Sequence, residues 1–225
     1  MRKLTIALTV LMVCILPLSM VHAQRTAGSL AVEGFGGIGY PMSPEFFTDF
    51  WQMGIGFGGG AQYNFTDMTG FKVSYTYLPF KLNSDEFLKL FEEMIPAGME
   101  IEIKGGAVNN SIISANLVQY LTPPDASFGF YIVAGAGYYL FSMGDLEMKV
   151  TYQGQTETVT EEMEDDMDDK IGINGGVGLE FMIGTTMNLF FEGKYHYLFG
   201  EEEGFDDTGG MISFITAMAG IRINL

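Results

Sequence analysis

Between Ile171 and Phe199 the chain alternates with a period of two. Ile171, Ile173, Gly175, Val177, Leu179, Phe181 and Ile183 share one face, and Gly172, Asn174, Gly176, Gly178 and Glu180 share the other. After Gly184-Thr185-Thr186 the alternation restarts, with Leu189, Phe191, Gly193, Tyr195, Tyr197 and Phe199 set against Asn188, Phe190, Glu192, Lys194 and His196. The spacing predicts a hairpin of two long strands joined by a short turn. Both strands outrun the usual length in a soluble sheet, and in both the apolar face ends in aromatics while the other carries glycines and charges. Such a face suits a closed barrel standing in a lipid bilayer, apolar outside and polar within.

The same pattern predicts six more strands. Leu30, Val32, Ile38 and Tyr40 alternate with Ala31, Glu33, Phe35, Gly37 and Gly39 until Pro41. Met53, Ile55, Phe57, Gly59, Ala61, Tyr63 and Phe65 alternate with glycines, Gln62 and Asn64; Phe71, Val73, Tyr75 and Tyr77 alternate with Lys72, Ser74 and Thr76. A fourth strand, about Ser111 to Leu121, opposes Ile113, Ala115 and Leu117 to Ser114 and Asn116 before Gln119 interrupts it. Phe128 to Leu140 reads as the fifth, and the chain ends with Ile215, Ala217, Ala219, Ile221, Ile223 and Leu225 opposed to Phe214, Thr216, Met218, Gly220, Arg222 and Asn224.

The connections alternate long and short. In the second long one, Asn83 to about Asn110, the alternation lapses; Ser84, then Asp85 and Glu86, with Phe87, Leu90, Phe91 and Met94 at helical spacing, predict an amphipathic helix capped by Ser84. In the third, about Ser142 to Lys170, Leu146, Met148, Val150 and Tyr152 read as a strand stem continuing beyond the bilayer. The expected fold is all-β: an eight-stranded antiparallel up-and-down transmembrane β-barrel with long extracellular loops, tight periplasmic turns and both chain ends in the periplasm. Tyr40, Tyr77, Tyr138 and Tyr197 would form the outer aromatic girdle, and Phe65, Phe71, Phe128 and Phe181 the inner one.

The amino terminus adds an address. Arg2 and Lys3 precede an apolar run from Leu4 to Val21, and Val21-His22-Ala23 suits a signal peptidase, so residues 1 to 23 read as a cleaved secretory signal peptide and 24 to 225 as one barrel domain. Cys14, the only cysteine, follows Val13 rather than the small residue that lipid attachment needs. Its removal with the signal excludes a disulfide or a cysteine metal site. The formal net charge is −17, and loss of Arg2 and Lys3 makes the remainder more acidic still, so nucleic acid is no partner. At 48% hydrophobic, the chain is nonetheless too apolar for an acidic disordered one.

Over residues 28 to 225 the chain resembles the small outer-membrane β-barrel family of the OmpA/OmpX type. Gly220, Ile223 and Leu225 resemble that family's C-terminal assembly signal, with Leu225 standing where the family usually ends in Phe or Trp. The resemblance implies residence in the bacterial outer membrane among its lipids, insertion by the barrel assembly machinery, and here no peptidoglycan-binding domain.

Glu33, Lys72, Glu180, Glu192, Lys194 and Arg222 all fall on the inward phase, where buried charges need opposite partners, so an ion-pair network filling the lumen is expected. Eight strands leave an interior just wide enough for side chains to fill. The expected role is therefore structural, or surface interaction through acidic extracellular loops with an unknown ligand; the alternative is a narrow pore or a conduit for small or apolar ligands. No enzyme is expected: His196 shares a face with Glu192, but Ser213 has the opposite phase, leaving no nucleophile in register. Gly34, Gly36 and Gly39 fit a phosphate-loop spacing, yet Pro41 and a loop follow instead of a helix. No cofactor is expected. The acidic run Glu161, Glu162, Glu164, Asp165, Asp166, Asp168 and Asp169 lacks the spacing of a defined calcium loop and would at most bridge divalent cations weakly.

Overall fold

The computed structural model describes residues 25–91, 95–96, 98–126, 128–161, 168–183, 186–200 and 211–225. In chain order the elements are β1 (Leu30–Ser43), α1 (Glu45–Phe50), β2 (Trp51–Gln52), β3 (Gly54–Asn64), β4 (Thr69–Leu82), α2 (Ser84–Lys89), β5 (Met99–Gly105), β6 (Val108–Tyr120), β7 (Phe128–Met143), β8 (Leu146–Tyr152), β9 (Gln155–Glu161), β10 (Lys170–Ile183), β11 (Met187–Leu198) and β12 (Ile212–Asn224). Eight of them close an antiparallel barrel in the order β4-β3-β1-β12-β11-β10-β7-β6, with β6 pairing back to β4. Closure leaves no edge whose unpaired backbone groups would meet lipid, each at several kcal/mol. First and last strands meet in one register from Ala31 to Pro41, with Glu33 opposite Arg222 and Gly36 opposite Ala219.

The alternation seen in sequence becomes two surfaces. Ile55, Phe57 and Ile171 are about 60% exposed on the apolar outer wall, while their strand neighbours point into a packed lumen. Tyr40 and Tyr138 are exposed near the end carrying the long connections, the loop end. Tyr77 and Tyr197 there are half-buried, and Phe65, Phe71, Phe128 and Phe181 are exposed near the turn end.

Four expectations need correction. The stretch after Asn83 holds a strand: Met99, Ile101 and Ile103 alternate with Glu100, Glu102 and Lys104 in β5, and β6 starts at Val108 rather than Ser111. The Leu146–Tyr152 segment does not prolong a barrel strand. It forms a hairpin with β9 across Gln153-Gly154 and pairs with β5 in a separate three-stranded sheet beyond the loop end. Ser84 is the first residue of α2, not its cap, and its hydroxyl donates to the Ile103 carbonyl at 3.1 Å. The helix ends at Lys89, short of the spacing read through Met94, which lies outside the described residues.

Large lumen side chains lie against glycines of the adjoining strand. Tyr131 on β7 covers Gly178, its cross-strand partner on β10, where a Cβ would collide with the ring. Leu78 on β4 likewise fills the space over Gly56 on adjoining β3, and reaches past it to Gly39 on β1. Glycine removes the side chain from one wall so that a bulky neighbour can lie flat, which a narrow barrel requires.

Candidate functional site in the barrel lumen

The lumen has two layers. Toward the turn end, the inward positions of five strands place Glu33 (β1), Lys72 (β4), Glu180 (β10), Glu192 and Lys194 (β11) and Arg222 (β12) together, each 9% exposed or less. Arg222 donates from Nε and Nη2 to Glu33 Oε2 at 3.0 and 2.7 Å, and from Nη1 to Tyr120 OH at 2.7 Å and to Glu180 Oε2. Lys72 Nζ lies 2.5 Å from Glu192 Oε2 and 3.5 Å from Glu33 Oε1, and Lys194 Nζ lies 3.4 Å from Glu192 Oε1. Neutral donors complete the layer: Tyr131 OH to Glu192 at 2.9 Å, Tyr120 OH to Glu180 at 3.1 Å and Asn188 Nδ2 to Glu180 at 3.2 Å. Three carboxylates face three cations, so the layer is neutral as a whole while the chain carries −17. Desolvation of six charges is tolerable only with this degree of mutual pairing.

Toward the loop end the inward phase turns apolar, contrary to the expected polar interior. Leu78, Phe80, Val108, Ile112, Tyr139, Phe141, Leu198, Ile212 and Phe214 form one buried cluster. The chain between β1 and β3 folds over it. Phe47 of α1 packs edge-on against Phe80 with centroids 5.1 Å apart, and the Trp51 indole N–H reaches the Gly106 carbonyl at 3.3 Å. Phe80 in turn meets Phe214 at 5.5 Å. Transfer of these side chains from water favours closure without any directed bond.

His196 sits at the junction of the layers. Its ring stacks on Phe214 at 4.5 Å, and its nitrogens lie 2.9 Å from Tyr139 OH and 3.1 Å from Thr216 Oγ1. Ser213 is opposite Tyr197, one position past the Phe214 that faces His196, and a register slip between Pro41 and Ser43 leaves it buried. A void with room for about one water separates the layers, lined by Lys72, Lys194, Glu192, His196 and Thr216 among others.

On β12, Gly220 lies where a Cβ would strike the Gly34 carbonyl, Phe35 and Phe190. Ile223 pairs with Val32 and Met187, and Leu225 is half exposed on the outer wall, its N–H donating to the Leu30 carbonyl at 2.8 Å. Of the acidic run, residues 162–167 lie outside the described residues, as do Glu201, Glu202, Glu203, Asp206 and Asp207. Sequence reasoning missed Tyr120, Tyr131 and Arg25 as partners of this layer; the inward phase of the two tyrosines was the available signal.

The outer membrane protein beta-barrel domain, as a family model, matches residues 6–222. A search of curated proteins found no match. Among solved structures, Neisserial surface protein A is similar over 86% of this chain and 96% of its own, with 14% identity and a TM-score of 0.51. The outer membrane protein OprG from Pseudomonas aeruginosa is similar over 90% of this chain and 98% of its own, with 11% identity and a TM-score of 0.54. At these identities the likeness is one of fold. An eight-stranded barrel with an apolar outer wall, together with a family match along nearly the whole chain, places the protein in the bacterial outer membrane, and it belongs to the outer membrane protein beta-barrel family.

Proposed function

We propose that the barrel is a sealed anchor, serving a structural or surface-interaction role through its long connections rather than moving solutes. The observation that carries this reading is the double closure of the lumen, by the charge layer at one end and by the Phe47-capped apolar cluster at the other. In this reading the loop end faces away from the cell, presenting the β5-β8-β9 sheet and the acidic connections to an extracellular ligand, with weak divalent bridging as a further contact. The apolar outer wall meets the membrane lipids. Gly220, Ile223 and Leu225 serve as the assembly signal for the barrel assembly machinery. Purified full chain in planar bilayers should show no steady single-channel openings. Steady openings would favour the pore.

One observation speaks for a conduit of apolar ligands, namely the apolar lining of the loop-end half. Phe47→Ala together with Trp51→Ala would uncover that lining. If the double variant then takes up a fluorescent fatty acid that the parent also binds, conduction rather than sealing is the better reading.

A further inference from the structure

Residues 25 to 29 precede β1 and do not run along the outer wall. They cross the turn-end mouth of the barrel. Gly28 N–H donates to the Asn64 carbonyl at 2.7 Å, Asn64 N–H donates back to the Ser29 carbonyl at 2.9 Å, and Asn64 Nδ2 reaches Ser29 Oγ at 2.9 Å. Ala27 N–H donates to Asp67 Oδ1 in the β3–β4 turn at 2.8 Å. The segment then reaches β6, three strands from β1 in the barrel order. There the Arg25 guanidinium lies over the Tyr120 ring, 4.0 Å from its centroid, and Nη2 donates to the Pro123 carbonyl in the β6–β7 turn at 2.8 Å. Arg25 is only 7% exposed although it stands at the mouth of the lumen.

We infer that residues 25 to 29 form a strap that closes the turn-end mouth, and that Arg25 is its latch. The strap's partners fall in two places, the end of β3 with the β3–β4 turn and the end of β6 with the β6–β7 turn. These two come together only when β4 has paired with both β3 and β6, so the latch seats only once that part of the wall has formed. Tyr120 is the hinge of the arrangement, because one face of its ring carries Arg25 while its hydroxyl joins Arg222 and Glu180. The strap thereby keeps water off the charge layer, whose pairing holds only while it stays dry. A guanidinium suits this position because it offers a flat face to the ring and, from Nη2, an N–H to a carbonyl at once; a lysine ammonium offers the charge without the flat face.

The test uses the full chain folded in detergent micelles, with Gly129→Cys as a reporter. Gly129 lies inside the mouth, and a Cβ there would make only ordinary to slightly tight contacts with Tyr120, Arg25 and Glu180. Its reaction with a small charged methanethiosulfonate should be slow in the parent and about tenfold faster when Arg25→Ala is added, the scale expected from losing one cation–π contact and one charged hydrogen bond. Arg25→Lys should fall between. Heat-modifiable gel migration, the sign of a closed barrel, should persist in all three. Amide exchange of residues 26 to 29 should quicken with the labelling. Equal labelling with and without Arg25→Ala would overturn the latch, and unchanged exchange would show that the backbone bonds alone hold the strap. Loss of heat-modifiable migration in Arg25→Ala would overturn it in another way, by making Arg25 a determinant of the wall rather than of its closure.

Discussion

In the turn-end half of the lumen, Arg222 reaches Glu33, Glu180 and Tyr120 through directed bonds, whereas in the loop-end half Leu78, Phe80 and Phe214 close the same width of barrel with rings and alkyl groups. Both halves exclude water, but they fail differently. A charge layer is unforgiving of a missing partner, since each ion left behind remains buried without compensation. An apolar layer accepts another side chain of similar volume and is sensitive chiefly to empty space.

The same new residue placed in each half separates these behaviours. Arg222→Met keeps length and packing but leaves Glu33 and Glu180 without their shared cation, so we expect a loss of about 3–5 kcal/mol in urea unfolding from micelles. Leu78→Met, in the other half, should cost less than about 1.5 kcal/mol. Equal losses would mean that volume alone governs both halves.

Within the charge layer the ranking can be sharpened. Lys194 contributes one ion pair at 3.4 Å, whereas Glu192 also holds Lys72 at 2.5 Å and Tyr131 at 2.9 Å. Lys194→Ala should therefore cost about 1–2 kcal/mol by the same measurement, with water entering the adjoining void. A loss as large as that of Arg222→Met would show that the layer acts as one unit instead of as unequal pairs.

The smallest effect belongs to the sheet outside the barrel, where charges stay wet. A hydrogen bond from Lys104 holds the Glu102 carboxyl below its ordinary value, with Lys104 and Lys149 adding attraction. A depressed carboxyl favours the ordered state only above its ordinary titration range and ceases to do so as pH falls through the lowered value. Protection factors of the β5 amides, which take out the intrinsic slowing of exchange in acid, should thus fall modestly on acidification while those of the barrel strands do not change, and Glu102→Gln should remove that fall. A response that survives Glu102→Gln would assign it to another carboxylate.

Much of the wall was legible because lipid and a packed lumen impose opposite demands on alternate residues, as Lys72, Ser74 and Thr76 show between Phe71 and Tyr77. The loop-end layer was harder to read. Beyond Tyr77 both phases of β4 turn apolar through Leu78 and Phe80, so the contrast that reveals a strand disappears, although the inward phase itself is unbroken. β5 was hidden for another reason: its partner β8 lies more than forty residues away, and an alternation of only three apolar positions with glycines at both ends is short. Arg25 stands before any strand, and nothing in its neighbours foretells that it crosses to Tyr120.

The rings seated on glycine have a mechanical consequence. Two β-strands joined by backbone bonds alone can slide by one pair, because every rung of the ladder resembles the next. Tyr131 lying in the gap at Gly178, and Leu78 in the gap over Gly56, act as keys in slots, since a slip of one residue would bring Val177 or Leu179, and Ile55 or Phe57, where the slots had been. Resistance to shear between neighbouring strands is thus written into the lumen face, at places where lateral pressure from the bilayer cannot prise the keys out.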